Sequence, residues 1–203
     1  FIFPEQVSAF TMVVYSSAVP QSHPILVAAR KARLRLLRRG EMLAEIAQSK
    51  RLIAVVGSHG KTTTSGMIAH GLQHCQLEAN YILGGLFSGN STSPVHFCKS
   101  DWLVAEVDES DGTINQFAPD VTLVLNVDWD HADQYGDATK LDAAFLRLLK
   151  DTKQKLLLPD SFHLKPTGGA KIQTFDGAAK RLGLDPSTGC LLYTSPSPRD
   201  MSA

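Results

Sequence analysis

One stretch decides the fold of this chain: Leu52-Ile-Ala-Val-Val-Gly-Ser-His-Gly-Lys-Thr-Thr-Thr64. Its first half is apolar and rich in β-branched residues, which is typical of a buried strand, and its second half is a polar turn containing two glycines. The segment that follows has apolar residues at helical spacing, at Met67, Ile68 and Leu72. The order of strand, glycine turn and helix predicts a phosphate-binding loop, because backbone N–H groups and a helix N-terminus together attract an anion.

The turn supplies the chemistry of such a loop in the expected order, Gly60-Lys61-Thr62. A lysine provides a mobile cation, and the hydroxyl that follows it can reach a magnesium ion. The match is incomplete, because Val55 stands where the general pattern has a further glycine. The alternative is a chance glycine turn with a surface lysine, but the flanking strand and helix favour a nucleotide site.

Composition limits the classes of protein to consider. The chain has 203 residues, enough for one large domain or parts of two, and 43% of them are hydrophobic. Basic and acidic residues number twenty each, so nothing indicates a nucleic-acid partner. Three widely spaced cysteines predict neither a disulfide framework nor a metal knuckle, and they fit a reducing cytoplasm. No apolar run approaches the roughly 20 residues of a membrane-spanning helix, so we expect no membrane insertion.

The two ends have unusual features. The start lacks an initiator methionine and has no basic region before its apolar residues, so we expect no signal peptide and a beginning inside a longer protein. The segment from Cys190 to Asp200 resembles an in-frame translation of a sequencing adaptor, although a genuine Ser/Pro-rich linker is the alternative. We therefore expect residues 190–203 to be a disordered tail outside the fold.

Alternating strand and helix patterns predict an α/β protein with a parallel sheet flanked by helices. A basic cluster between Arg30 and Arg39 is interpreted as a solvated face in preference to a phosphate patch, because acidic residues follow it. Beyond the Leu52 strand, the predicted strands are Thr11–Ser16, Arg33–Leu37, Tyr81–Gly85, Asp101–Glu106, Asp120–Leu125, Lys155–Leu158 and Lys171–Phe175, and further helices are predicted at Pro24–Ala32, Glu41–Ala47 and Lys140–Lys150.

Two other predicted strands end in residues that could bind a metal. Glu106 opens the acidic turn Glu106-Val-Asp-Glu-Ser-Asp-Gly112, and His131 closes the segment that begins at Asn126. Ligands of open parallel sheets bind at the carboxyl ends of the strands, so both side chains can lie near the phosphate loop. The alternative for the acidic turn is a solvated surface turn, and the alternative for His131 is a structural histidine. Because Glu106 and His131 each follow a predicted strand in a chain that also has a phosphate loop, a magnesium site is favoured.

These three motifs resemble the Mur ligases of bacterial peptidoglycan synthesis, and an upstream segment, from Val14 to Ala44, resembles the end of that family's N-terminal domain. Together the similarity covers about residues 11–150. The loop histidine, His59, and the Asp-Glu-Ser-Asp-Gly sequence are similar to the branch that joins L-alanine to UDP-N-acetylmuramate. Ser58 stands where threonine is common and Val107 where alanine is common, and neither changes a charge.

The resemblance implies an ATP-dependent, amide-forming ligase of the cytoplasm, with ATP and Mg²⁺ as cofactors and no obligate protein partner. It implies that residues 1–49 are the end of a Rossmann-like UDP-binding domain and that residues 50–189 are an incomplete central ATP-binding domain. The family's C-terminal domain would then be missing, and we expect the fragment alone to be inactive. ATP would phosphorylate the carboxylate of UDP-N-acetylmuramate, and the amine of L-alanine would attack the acyl phosphate.

The resemblance also implies residue roles. Lys61 would contact the β- and γ-phosphates, Thr62 and Glu106 would bind one magnesium ion, and His131 would bind a second. Backbone N–H groups of residues 58–63 would hold the phosphates. The implied catalytic residues are Lys61, Glu106 and His131, and the implied nucleotide-binding residues are Gly57, Ser58, His59, Gly60, Lys61, Thr62, Thr63 and Asn126.

Other interpretations stay open. A ligase that recycles murein tripeptide shares the loop histidine but tends to carry tyrosine where Ser110 stands, and folylpolyglutamate synthase-like ligases are more distant. A nucleotide-binding module without ligase chemistry would not need both Glu106 and His131. A truncated product without stable function is the remaining alternative.

Overall fold

The computed structural model describes residues 4–85, 93–109, 112–127 and 138–183. His131, Ser110 and the tail at 190–203 therefore lie outside the described residues. Helices span α1 (Pro24–Lys31), α2 (Arg39–Gln48), α3 (Lys61–His74), α4 (Ala138–Asp151) and α5 (Phe175–Arg181). Strands span β1 (Met12–Tyr15), β2 (Arg35–Arg38), β3 (Arg51–Val56), β4 (Asn80–Ile82), β5 (Val95–His96), β6 (Trp102–Glu106), β7 (Val121–Val124), β8 (Lys155–Leu158) and β9 (Lys171–Thr174).

Within the described ranges, seven strands form one sheet in the order β5-β4-β6-β3-β7-β8-β9. Its pairs are parallel except for the antiparallel edge pair β4–β5. Strand β3 is central, with Ile53 opposite Val104 of β6 and Val121 of β7. The carboxyl ends of β6, β3 and β7 are therefore neighbours, which confirms the predicted parallel α/β sheet.

Helices cover both faces of this sheet. On one face, Ala69 of α3 packs with Tyr81 and Val104. On the other face, α2 and α4 share a larger core with the strands, and Phe145 of α4 is its largest fully buried side chain. Strands β3 and β6 are buried on both faces, which explains why their sequences are continuous apolar runs without alternation.

The N-terminal elements form a separate two-stranded parallel sheet from β1 and β2, in which Met12 lies opposite Arg35. Helix α2 follows β2 and buries Ala44 and Ala47 in the core of the main sheet. The two parts of the chain thus share hydrophobic contacts through α2. A domain boundary after residue 49 stays a prediction.

Most element types were predicted from the sequence, with bounds that differ by up to three residues. Within the described residues, the structure adds four short elements that no pattern indicated: 3₁₀ helices at Pro4–Ala9 and Ile114–Gln116, strand β5 and helix α5. In the basic cluster, Arg35 pairs with Glu45 and Arg38 pairs with Glu41, so these charges have local partners. In the part of the chain that the structure describes, no helix is both long and apolar enough to cross a bilayer.

Candidate nucleotide and metal site

The phosphate loop leaves β3 through two glycines with backbone conformations that L side chains rarely adopt. Gly57 has a φ of +140°, and Gly60, which precedes the first residue of α3, has a φ of +83°. Gly57 also lies against the end of β7, since a Cβ atom there would be 2.9 Å from the Asn126 carbonyl oxygen. The backbone and its neighbour both require glycine at position 57.

Asn126 holds the phosphate loop through hydrogen bonds from its side chain and its backbone. Its Oδ1 accepts a hydrogen bond from the backbone N–H of His59 at 2.8 Å, and its Nδ2 donates to the His59 carbonyl at 3.1 Å. Its own carbonyl accepts from the backbone N–H of Ser58 at 3.3 Å. The Ser58 and His59 N–H groups, for which the resemblance implies phosphate contacts, donate to Asn126 in this structure. The His59 side chain is exposed.

The first turn of α3 supplies the remaining donors of the loop. Lys61, Thr62 and Thr63 are its first three residues, and backbone N–H groups at these positions have no acceptor inside a helix. They face outward from the positive end of the helix, which is the arrangement that attracts phosphate. Residues 61–63 thus form the start of the helix, and their contacts with phosphate stay a prediction.

The Lys61 ammonium lies among oxygens at the carboxyl ends of β3 and β6. Its Nζ donates to the Gly57 carbonyl at 2.6 Å and is 3.3 and 3.4 Å from the two carboxylate oxygens of Glu109. Asp108 is farther, at 3.8 Å. Burial raises the pKa of the Glu109 carboxyl, and the nearby Lys61 charge opposes that shift.

Glu109 is a residue that sequence reasoning missed as part of the site. The sequence indicates the whole acidic turn, with Glu106 as its one candidate ligand. In the structure the Glu109 side chain is buried at 1% exposure, whereas the Asp108 side chain is 42% exposed. A signal was present, because two glutamates lie within four positions at the end of one strand, and a buried strand end can bury the next turn as well. Periodicity alone does not say which carboxylate turns inward.

Glu106 is held by two elements. Its Oε2 accepts from the Thr62 hydroxyl at 2.8 Å, and its Oε1 accepts from the backbone N–H of Gly84 at 2.5 Å. Gly84 and Gly85 follow β4 and lie against the Glu106 and Thr62 side chains. A Cβ at Gly84 would lie 2.9 Å from Glu106 Oε2, and one at Gly85 would lie 2.9 Å from Thr62 Cγ2. This glycine pair is a second feature of the site that the sequence did not reveal.

Thr62 and Glu106 fit one magnesium ion. Hydroxyl and carboxylate oxygens are the hard ligands that Mg²⁺ prefers, and adjacent ligands of an octahedron with bonds of about 2.0–2.1 Å are roughly 3 Å apart. The observed separation of 2.8 Å between the Thr62 and Glu106 oxygens matches that spacing. Among the described residues, no three or more histidine, cysteine, aspartate or glutamate side chains group around a further cation position. His131 lies outside this part of the chain.

Comparison with known protein families assigns both parts of the chain. The Mur ligase middle domain matches residues 55–161, more than half of the sequence, and the Mur ligase family, catalytic domain, matches residues 1–51. The chain belongs to the Mur ligase family. The fold is therefore that of a Mur ligase.

Two curated relatives are similar in sequence to most of this chain. UDP-N-acetylmuramate--L-alanine ligase of Coxiella burnetii (strain RSA 493 / Nine Mile phase I) is 41% identical over 142 residues, which cover 70% of this chain and 30% of that protein. The enzyme of the same name from Bifidobacterium longum (strain DJO10A) is 40% identical over 145 residues, covering 70% and 28%. The chain thus spans about 30% of the length of these relatives.

Solved structures agree on the fold. UDP-N-acetylmuramate-alanine ligase MurC from Thermotoga maritima gives a TM-score of 0.68 at 27% identity, covering 74% of this chain and 35% of that one. UDP-N-acetylmuramate:L-alanyl-gamma-D-glutamyl-meso-diaminopimelate ligase from Neisseria meningitides gives 0.73 at 18% identity, covering 85% and 61%. At 18% identity the likeness shows the fold alone.

Proposed function

We propose that this chain forms the ATP- and magnesium-binding part of a ligase that joins L-alanine to the carboxylate of UDP-N-acetylmuramate. The observation that carries the proposal is the convergence of the Lys61 ammonium and the Thr62–Glu106 oxygen pair beside the phosphate loop. The relatives at 40–41% identity support the choice of substrates. Because the chain spans about 30% of their length, the complete reaction belongs to a longer protein.

The proposed chemistry has two steps. A carboxylate oxygen of UDP-N-acetylmuramate attacks the γ-phosphorus of ATP and ADP leaves, which forms an acyl phosphate. The amine of L-alanine then attacks the acyl carbon, loses a proton and releases phosphate as the amide forms. Both steps require charge neutralisation at the phosphoryl group and fixed positioning of the attacking atom.

The described residues would divide this work. Lys61 would donate to the β- and γ-phosphates, and the N–H groups of residues 61–63 would hold phosphate oxygens. Thr62 and Glu106 would hold Mg²⁺, which supplies neutralisation of phosphate charge when bound. Asn126 would keep the loop in shape through its bonds to His59. His131 as ligand of a second magnesium ion stays a prediction.

The murein tripeptide ligases are the competing assignment. Their structural likeness to this chain concerns the fold, whereas the sequence relatives at 40–41% identity are L-alanine ligases. The amino acid or peptide is therefore the variable that a substrate assay must compare.

Thermal melting of the 203-residue chain with Mg-ATP tests the nucleotide site. A ligand at one hundred times its Kd stabilises the folded state by about 2.7 kcal/mol. For a domain of this size, that corresponds to a rise in Tm of roughly 5–10 °C. Lys61→Ala should abolish the rise. Lys155→Ala should keep it, because this exposed lysine begins β8, whose parallel pairing places it at the opposite end of the strands from the phosphate loop. A cooperative melt without any shift in the parent would contradict the proposal.

A chimera tests the reaction. The matched segment of the Coxiella burnetii ligase is replaced by that of this chain, and phosphate release is measured with UDP-N-acetylmuramate and either L-alanine or murein tripeptide. We expect release with L-alanine that Lys61→Ala reduces by several powers of ten, as loss of a charged transition-state contact does. Release with the tripeptide alone would favour the competing assignment.

A further inference from the structure

The Lys61 ammonium has more partners than a phosphate-binding lysine requires. Of its three N–H groups, one donates to the Gly57 carbonyl at 2.6 Å, and the Glu109 carboxylate faces it with two oxygens at nearly equal distances of 3.3 and 3.4 Å. Among the residues that the structure describes, these contacts hold the nitrogen beside the loop. We propose that Glu109 is a positioning residue that holds the Lys61 ammonium over the phosphate loop.

The two glutamates of the acidic turn would then have separate tasks. Glu106 bonds to Thr62 and Gly84 and so belongs to the magnesium side of the site. Glu109 meets Lys61 and so belongs to the phosphate side. This inference rests on the proposed function, because it gives the nucleotide site a residue that sets the geometry of its cation.

Burial separates Glu109 from its exposed neighbour. The Glu109 side chain is 1% exposed and the Lys61 side chain is 14% exposed, so water screens their attraction weakly. Asp108 is 42% exposed and 3.8 Å from the same nitrogen, so its effect on Lys61 is largely screened. Removing one partner of a buried pair also leaves the other charge uncompensated, which is costly. Asp108→Asn is therefore the matched control for Glu109→Gln.

The direction of the change in affinity separates positioning from simple charge compensation. If Glu109 only offset the Lys61 charge, its neutralisation would tighten binding of an anionic nucleotide. If it positions Lys61, its neutralisation weakens binding. Glu109→Gln keeps the shape but replaces one of two nearly equidistant acceptor oxygens with an NH₂ donor beside the ammonium. The ammonium should leave its place as a result.

The first measurement needs no nucleotide. The full chain is treated with a neutral amine-reactive reagent, and the rate of Lys61 modification is followed by peptide mass spectrometry with Lys155 as internal reference. We expect Glu109→Gln to accelerate modification of Lys61 by about tenfold, the factor of one charge-assisted hydrogen bond. Asp108→Asn should change it less than about twofold. Equal rates in the parent and Glu109→Gln would overturn the proposal.

The second measurement is Mg-ATP affinity by titration calorimetry. We expect Glu109→Gln to weaken binding by about tenfold, and to have no effect in a Lys61→Ala background, because residues that act through each other are not additive. Tighter binding in Glu109→Gln would overturn the proposal. If the parent binds no Mg-ATP, the proposed function fails, while the modification rates still decide the role of Glu109. Glu109→Asp, which shortens the side chain, repeats both measurements if the glutamine variant does not fold.

Discussion

Gly57→Ala is the substitution for which the structure gives the sharpest expectation. The backbone at position 57 has a φ of +140°, where an L side chain is strained. The added Cβ would lie 2.9 Å from the Asn126 carbonyl oxygen, 3.0 Å from the Asn126 nitrogen and 3.1 Å from Leu125 Cβ. Two of these three atoms belong to the backbone at the end of β7, so they move only if the strand moves.

The two effects add. A non-glycine residue in a sparsely populated backbone region costs about 1–3 kcal/mol, and an extra carbon in a closely packed place costs about 1–3 kcal/mol. We therefore expect Gly57→Ala to lower the free energy of unfolding by about 2–6 kcal/mol, a large share of the typical 5–15 kcal/mol. Gly71→Ala is the matched control, because Gly71 lies inside α3 with nothing within 4 Å of an added Cβ. It should stabilise by about 0.5–1 kcal/mol.

Urea unfolding of the full chain, followed by far-ultraviolet circular dichroism, measures both variants. With a typical slope of about 1–3 kcal/mol per molar urea, the Gly57→Ala midpoint should fall by roughly 1 M or more, and the Gly71→Ala midpoint should rise. A Gly57→Ala midpoint equal to that of the parent would show that the loop does not pack against Asn126 as described. Equal losses in both variants would refute the geometric reasoning, since only one position is crowded.

Two further predictions concern local hydrogen bonds. Glu41 caps α2, accepting from the Arg38 backbone N–H at 2.6 Å, and this bond, followed by the Arg38 side chain, holds the pKa of the Glu41 carboxyl below its usual 4.5. Glu41→Gln should cost about 1 kcal/mol near neutral pH. Because the folded-state pKa is lowered, this stabilisation is fully present above the unfolded-state pKa and is lost as the pH falls through the folded-state pKa. The Tm profiles of parent and variant should therefore converge below about pH 4.5. A constant difference down to about pH 2 would contradict this. Asn126→Ala removes the acceptor of the His59 N–H, so amide exchange at His59 should accelerate about five- to tenfold, for the ~1 kcal/mol of one hydrogen bond; an unchanged exchange rate would show that Asn126 does not hold the loop.

The sequence determined the architecture and the main partners of the site. Apolar runs of strand length separated by helical patterns gave the α/β fold, because burial in a parallel sheet requires continuous apolar residues. The glycine turn before Lys61 gave the phosphate loop. The rule that ligands meet at the carboxyl ends of parallel strands brought Glu106 to Thr62, although 44 positions separate them, and the structure joins the two at 2.8 Å.

Short elements and contacts between distant segments were decided by the tertiary structure. Strand β5 has two residues and helix α5 has seven, too few for a periodic pattern to identify them. The sequence does not indicate that Asn126, just after β7, contacts the loop, and only the structure shows that it accepts hydrogen bonds from the Ser58 and His59 N–H groups.

In the acidic turn, the sequence predicted the segment and the tertiary structure decided which of its side chains is buried. Glu106, Asp108 and Glu109 are three carboxylates within four positions, and the sequence identified the turn as part of the site. It did not say that Asp108 faces water while Glu109 is buried against Lys61. That choice depends on how β6 packs beside β3, because a residue's environment is set by neighbours that are distant along the chain. Local patterns determined which elements form, and packing determined which charges meet.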